Sequence, residues 1–109
     1  MTRPPRRFDV YLVNLEPTLG SETRKVRPCL VVSPDEMHEF VRTVIVAPMT
    51  SNARDYPTRV PIRFQRKTGQ IALEQIRAVD RERLVRRLGA ADGATASAAA
   101  ERLVEMFTL

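Results

Sequence analysis

Residues 8–15 read FDVYLVNL and residues 29–33 read CLVVS, with a turn, EPTLG (16–20), and a polar loop, SETRKVRP (21–28), between them. Val10, Tyr11, Leu12 and Val13 in the first run, and Leu30, Val31 and Val32 in the second, are apolar and β-prone, so two strands are predicted from Phe8 to Leu15 and from Cys29 to Ser33. Pro17 and Gly20 punctuate the turn, and Pro34 ends the second strand. The rest of the chain repeats the pattern. Thr43–Ala47 is a buried-type strand stopped by Pro48, after which Met49–Asn52 leaves the sheet. Thr58–Phe64 alternates polar and apolar residues, with Pro61 demoting it to an edge. Gln70–Leu73 and Ile76–Val79 are two more short strands, while residues 35–42 form a helical turn or a loop and Arg81–Val85 a helical turn ending at Gly89. At the end of the chain, Asp92 or Thr95 caps a helix. Ala99, Leu103 and Phe107 repeat along it at i, i+4, i+8 and lay it on something apolar. Many short strands, frequent turns and one C-terminal helix predict a mainly β chain, a small, strongly bent barrel of the SH3-like kind. At 109 residues it is one domain, 1–109, with residues 1–7, rich in Arg and Pro, as a flexible basic tail.

The formal net charge is +5 and the sequence pI about 10.3, which favours a polyanionic partner, nucleic acid above all. The single cysteine, Cys29, lies inside an apolar run, which excludes an internal disulfide and fits a buried structural thiol in a reducing compartment. The single histidine, His38, lies in a different segment, so a Cys–His catalytic pair is not expected, and one Cys with one His cannot build a structural zinc site. There is no apolar run of about 18 residues to span a membrane and no secretory signal after the basic N-terminus. A cytoplasmic protein is expected.

Cutting RNA without a metal requires three things: the 2′-hydroxyl must lose a proton, the phosphate charge must be neutralised, and the leaving oxygen must gain a proton. With one histidine, a two-histidine solution is not open to this chain. No carboxylates cluster in the sequence as a two-metal site needs. What remains is Arg, Lys, Glu and hydroxyl groups. The polar loop supplies Glu22, Arg24, Lys25 and Arg27, with Pro28 stiffening its end, and the segment after the third strand supplies Thr50 and Ser51. In a small bent barrel, loops of neighbouring strands meet at one rim, where Arg27 and Thr50 are able to converge.

Three blocks of the chain resemble one family. The first is LEPTLGSE (15–22) followed by Arg27-Pro28 and VVSP (31–34). The second is VAPMTS (46–51) and the third LEQIRAVD (73–80). In order and spacing they are similar to the MazF/PemK/Kid-type toxins, from about Arg7 to Leu109. The resemblance implies the MazF/CcdB-like toxin fold and a homodimeric, metal-independent endoribonuclease that needs no cofactor. Such an enzyme cuts single-stranded RNA at short sequences, leaves 2′,3′-cyclic phosphate and 5′-hydroxyl ends, and so blocks translation. It also implies a cognate antitoxin whose extended, acidic tail crosses the active grooves. Carried over residue by residue, the catalytic set is Arg27, Thr50 and Glu22. Gln75 and Arg77 are candidate RNA contacts, together with Ser51 and the general phosphate contacts Arg24 and Lys25.

The chain departs from the family at points that bear on this reading. Many members have a glycine before the acidic residue of the first strand, where this chain has Phe8 before Asp9, a change at the start of the strand rather than in the chemistry. Kid-like members carry a histidine in the first loop and an Arg-x-Asp later, where Ser21, Ala72 and Glu74 stand here, so their acid and base do not transfer. A guanidinium stays protonated, so Arg27 is better read as a clamp on the phosphorane, able also to donate to the leaving oxygen. Glu22 then accepts a proton or orients Arg27, and Thr50 positions the phosphate or the 2′-hydroxyl. Tyr56, in the segment 52–57, is able to stack a base, though an exposed structural tyrosine is the simpler reading. Two other classes stay open: a non-catalytic SH3-like nucleic-acid-binding module, and a gyrase-poisoning toxin of the same fold.

Overall fold

The computed structural model describes residues 3–15 and 26–109. Seven strands, β1 (Asp9–Asn14), β2 (Val26–Val31), β3 (Thr43–Thr50), β4 (Arg59–Phe64), β5 (Lys67–Ala72), β6 (Arg77–Asp80) and β7 (Leu84–Ala90), pair antiparallel in the order β4-β5-β3-β2-β1-β7, with β6 also on β3. Two helices complete the order, the short α1 (Asp35–His38) and the C-terminal α2 (Gly93–Met106). The sheet curls because β3 changes partners along its length. Its first half lies against β6, Val46–Pro48 lies against β2, and Met49–Thr50 lies against β5. Register shifts between β1 and β7 at Val10/Tyr11 and Leu12/Val13 add to the bend.

Alternation along the strands gives the sheet two apolar faces. On one, Val10, Leu30, Ala47, Val60, Ile71 and Leu73 pack with Ala99 of α2. On the other, Tyr11, Val13, Cys29, Val31, Val44, Val46 and Val79 form a second cluster. Each fully buried Val, Leu or Ile in these layers contributes about 1.5–3 kcal/mol of transfer free energy. α2 begins at Asp92, whose carboxylate accepts the Thr95 N–H at 2.8 Å. Leu103 and Met106 pack on the core, whereas Phe107, expected on the same stripe, follows the last helical residue and is exposed.

Several sequence expectations are corrected. Val26, Arg27 and Pro28 belong to β2 and not to a loop, because β1 pairs with them (Val13 with Arg27, Leu12 with Pro28). Pro48 does not stop the third strand. Pro28 and Pro48 lack an N–H, and both lie where the β2–β3 ladder ends, Cys29 opposite Pro48 being its last matched pair. Leu84–Ala90 is a strand and not part of a helical turn, since only Arg81–Arg83 turns before the chain extends along β1. Residues 3–7 are an anchored arm. Pro5 is buried, Arg3 pairs with the Asp9 carboxylate at 3.2 Å, and the Arg7 N–H donates to Asp35 at 2.7 Å. His38 is the bolt. Ser33 Oγ accepts the Ile45 N–H, so its own proton goes to His38 Nε2 at 2.6 Å, and His38 Nδ1–H donates to the Pro5 carbonyl at 2.6 Å.

Candidate active site

The β2–β3 register decides the site. Cys29 lies opposite Pro48, Leu30 opposite Ala47 and Val31 opposite Val46. Carried two residues on, the same register sets Arg27 level with Thr50 on one face, beyond the end of the ladder. Both line a groove of about 690 Å³ at the mouth of the barrel. Its polar wall includes Ser51, Gln65, Lys67 and Thr68, and its apolar wall Met49, Ile62, Phe64 and Leu88. A cation, two hydroxyls beside it and a lysine across from it form a surface for a phosphodiester, with an apolar wall for a base.

Backbone fixes these groups. Thr50 Oγ1 accepts the Asn52 N–H at 3.0 Å, which leaves the hydroxyl proton to point at a ligand. Thr50 is also paired with Gln70 on β5. The next residue of β5, Gly69, lies so close that a Cβ there would meet the Thr50 carbonyl oxygen at 2.7 Å. The absence of a side chain at position 69 is therefore part of how Thr50 is placed. That signal is invisible in a one-dimensional reading, because Gly69 is remote from Thr50 in sequence and reads only as a weak point in a strand.

Cys29 is fully buried next to the groove, and burial pushes its thiol up to about 12 against the opposing pull of the Arg27 and Arg77 guanidinium charges. That makes it a structural residue and not a nucleophile. Arg77 pairs with Val46, so it shares the face of Arg27 and lies on the far side of Cys29, outside the groove wall. Gln75 is exposed in the turn Leu73–Gln75 and is likewise not on the wall. Glu22, Arg24 and Lys25 lie outside the described residues. Among the described residues no three His, Cys, Asp or Glu side chains come together as a metal site would require, and no helix is long and apolar enough to cross a membrane.

A curled antiparallel sheet with one C-terminal helix, carrying an arginine and a threonine from adjacent strands on one open groove, agrees with the small-toxin resemblance of the sequence. The chain belongs to the PemK-like, MazF-like toxin family of type II toxin–antitoxin systems, whose model matches residues 6–107. It is 42% identical over 89 residues to the endoribonuclease MazF of Staphylococcus epidermidis, covering 76% of this chain and 74% of that one. Among solved structures, the crystal structure of MazF from Deinococcus radiodurans superposes with a TM-score of 0.83 at 24% identity, over 99% of this chain and 100% of that one. An endoribonuclease in complex with its cognate antitoxin, from a mycobacterial species, gives 0.78 at 24%, over 93% and 92%. At such identities the structural likeness speaks for the fold, and the family rests on the sequence matches.

Proposed function

We propose that this toxin is an endoribonuclease that cuts single-stranded RNA at short sequences without a metal, using the Arg27–Thr50 groove. The observation that supports the reading is that Arg27 and Thr50, at the ends of two paired strands, both line one groove. The 2′-oxygen attacks the adjacent phosphorus and the bond from phosphorus to the 5′-oxygen breaks. This leaves a 2′,3′-cyclic phosphate and a 5′-hydroxyl. Arg27 holds the charge that grows on the phosphorane oxygens, and its N–H groups donate to the leaving oxygen. The Thr50 hydroxyl, its oxygen already engaged by the Asn52 N–H, donates to the phosphate or the 2′-oxygen. Glu22 accepts the 2′-hydroxyl proton or orients Arg27. Ser51 and Lys67 on the groove wall and Gln75 and Arg77 beyond it contact the RNA, together with Arg24 and Lys25. The protein acts in the cytoplasm as a homodimer, blocks translation by cutting RNA, and is silenced by an antitoxin whose extended, acidic tail fills the same basic groove.

The test is incubation of the purified protein with single-stranded RNA in excess EDTA, followed by mapping of the new ends. Defined cuts with 5′-hydroxyl ends are expected. Bound but intact RNA would leave a binding module. A change in gyrase supercoiling with RNA untouched would leave a gyrase poison. Cutting that stops in EDTA and returns with magnesium would overturn the metal-free chemistry.

A further inference from the structure

A second hollow, of about 480 Å³, opens on the outer side of the segment between β3 and β4. Arg54, Asp55, Tyr56, Arg59, Gln70 and Arg102 line it. We propose that it is a nucleotide subsite, taking one base and its phosphate from the RNA strand beyond the bond that is cut. This inference rests on the RNA-cleavage reading for the identity of the polyanion.

The hollow and the groove are lined by neighbouring residues of the same strands. Gln70, in the wall of the hollow, is the cross-strand partner of Thr50, while Ser51 and Gly69, the chain neighbours of that pair, line the groove. An RNA strand lying over Arg27 and Thr50 would leave the groove at Ser51, on the segment that carries Tyr56.

Its aromatic floor is fixed in advance. Arg59 is buried, and its Nε donates to Glu74 at 2.8 Å while Nη1 donates to Gln70 Oε1 at 2.9 Å and the Asn52 carbonyl at 3.1 Å. So pinned, the guanidinium carbon stands 5.1 Å from the centre of the Tyr56 ring. The Gln70 side chain latches the segment from both sides, accepting the Arg54 N–H at 3.0 Å and donating to the Arg54 carbonyl at 3.2 Å. These bonds explain Arg59, Glu74 and Gln70 as fasteners. They do not explain why the tyrosine they hold is left 49% exposed beside two more arginines, Arg54, which donates to Asn52 Oδ1 at 2.7 Å and the Ala53 carbonyl at 3.0 Å, and Arg102. Arg102 reaches across from α2 to the Pro57 carbonyl and pairs with Glu105 at 3.9 Å, so that it and Arg54 are the two rim guanidinium groups beside Asp55, while Arg59 is paired with Glu74. Arg59 covers one face of the ring, and the other face with the Arg54 and Arg102 guanidinium groups of the hollow matches the two halves of a nucleotide: the base stacks on the ring, and the phosphate meets guanidinium groups. Because every base has a π-face, the subsite adds affinity with little sequence preference. An acidic peptide would use the cations and leave the ring face idle.

The experiment measures binding of fluorescent single-stranded RNA, 2′-O-methylated so that it cannot be cut, in a long form and as a dinucleotide too short to reach from the groove to the hollow. Tyr56→Ala is expected to weaken the long RNA about tenfold, near 1.4 kcal/mol, and to leave the dinucleotide unchanged. Tyr56→Phe is expected to keep wild-type affinity. Arg102→Gln is expected to weaken the long RNA and to lower the salt dependence by about one released ion. Equal losses on both lengths, or no loss on the long one, would overturn the subsite. So would a loss confined to a synthetic polyglutamate peptide, which would make the hollow a peptide site. If the wild-type protein fails to cut native RNA while binding still depends on Tyr56, the nuclease reading falls and the subsite stands.

Discussion

The Arg27–Thr50 groove and the Tyr56 hollow are built by opposite means. The groove is positioned by backbone: two strands in register, a glycine that admits close approach, and one N–H on the Thr50 hydroxyl oxygen. The hollow is positioned by side chains, with Arg59, Glu74, Gln70 and Arg54 holding one another and the segment they enclose. A reacting pair gains from backbone placement, because small displacements are costly there. A stacking site tolerates more movement and can be held by side-chain hydrogen bonds. The contrast implies that damage to the groove reads out in rate, and damage to the fasteners reads out in stability.

The largest effect is expected at Arg27. Arg27→Ala removes the cation proposed to face the phosphorane, and loss of one such electrostatic group costs about 10²–10³ in rate. The side chain is half-exposed at the end of a strand, so the melting temperature should stay within a few degrees of wild type. Single-turnover cleavage and a thermal melt decide it. Near wild-type cleavage, or an unfolded variant, would break the contrast at its first side.

Gly69→Ala tests the backbone placement without touching a reacting group. The new Cβ would sit 2.7 Å from the Thr50 carbonyl oxygen, and a backbone atom cannot swing aside as a side-chain tip can. Overpacking of this kind costs about 1–3 kcal/mol, and a Thr50 displaced by a fraction of an ångström should slow cleavage by about tenfold or more. Cleavage kinetics at saturating RNA, read beside a denaturant melt, separate the two. If stability falls and the rate does not, Gly69 is a packing residue only.

What the sequence made legible follows from this division. Runs such as VYLV and TVIVA declare strands through composition, and the C-terminal stripe declares a helix, because those signals are local. Arg27 and Thr50 were found through chemistry and family resemblance, and a strand register then brought them together. The end of β3 was hidden by Pro48, since a proline reads as a stop unless the ladder is known to finish beside it. The extended Leu84–Ala90 segment was hidden because its pairing with β1 is distant in sequence. Arg59–Glu74 and Gly69–Thr50 are tertiary pairs whose partners carry no pattern that would announce them.

The fasteners carry the next effect. Burial raises the Glu74 carboxyl, but the Thr58 hydroxyl and the Arg59 guanidinium outweigh it and hold the group below its ordinary 4.5. An acid lowered on folding stabilises the fold fully above its ordinary value, and the contribution is lost as pH falls through the lowered one. Stability should therefore decline below about pH 4.5 in the wild type. Glu74→Gln should cost about 1–2 kcal/mol at neutral pH, from a charged hydrogen bond lost beside a buried arginine, and should flatten part of that acid decline. Urea melts across the acid range check both. An unchanged acid limb would mean that Glu74 does not fasten the hollow.

The smallest effects come from two left-handed residues, and they should differ in sign. Phe8 and Arg66 have φ values of 71° and 68°, a region that costs a side chain about 1–2 kcal/mol. Arg66 is exposed in the two-residue turn between β4 and β5, where Gln65 is also left-handed and Phe64 pairs with Lys67. These are the features of a type I′ hairpin turn, which favours glycine. Arg66→Gly removes strain with no packing lost and, after the extra chain entropy of glycine, should gain about 0.5 kcal/mol. Phe8 shares the left-handed backbone, yet its ring packs against the α2-side core. Phe8→Gly removes the same strain but also that burial, so it should lose about 1 kcal/mol. Denaturant midpoints of the two variants, measured together, settle the matter. A gain at both would mean that the Phe8 ring contributes nothing to the core. A loss at both would mean that the left-handed turn carries no strain for glycine to relieve.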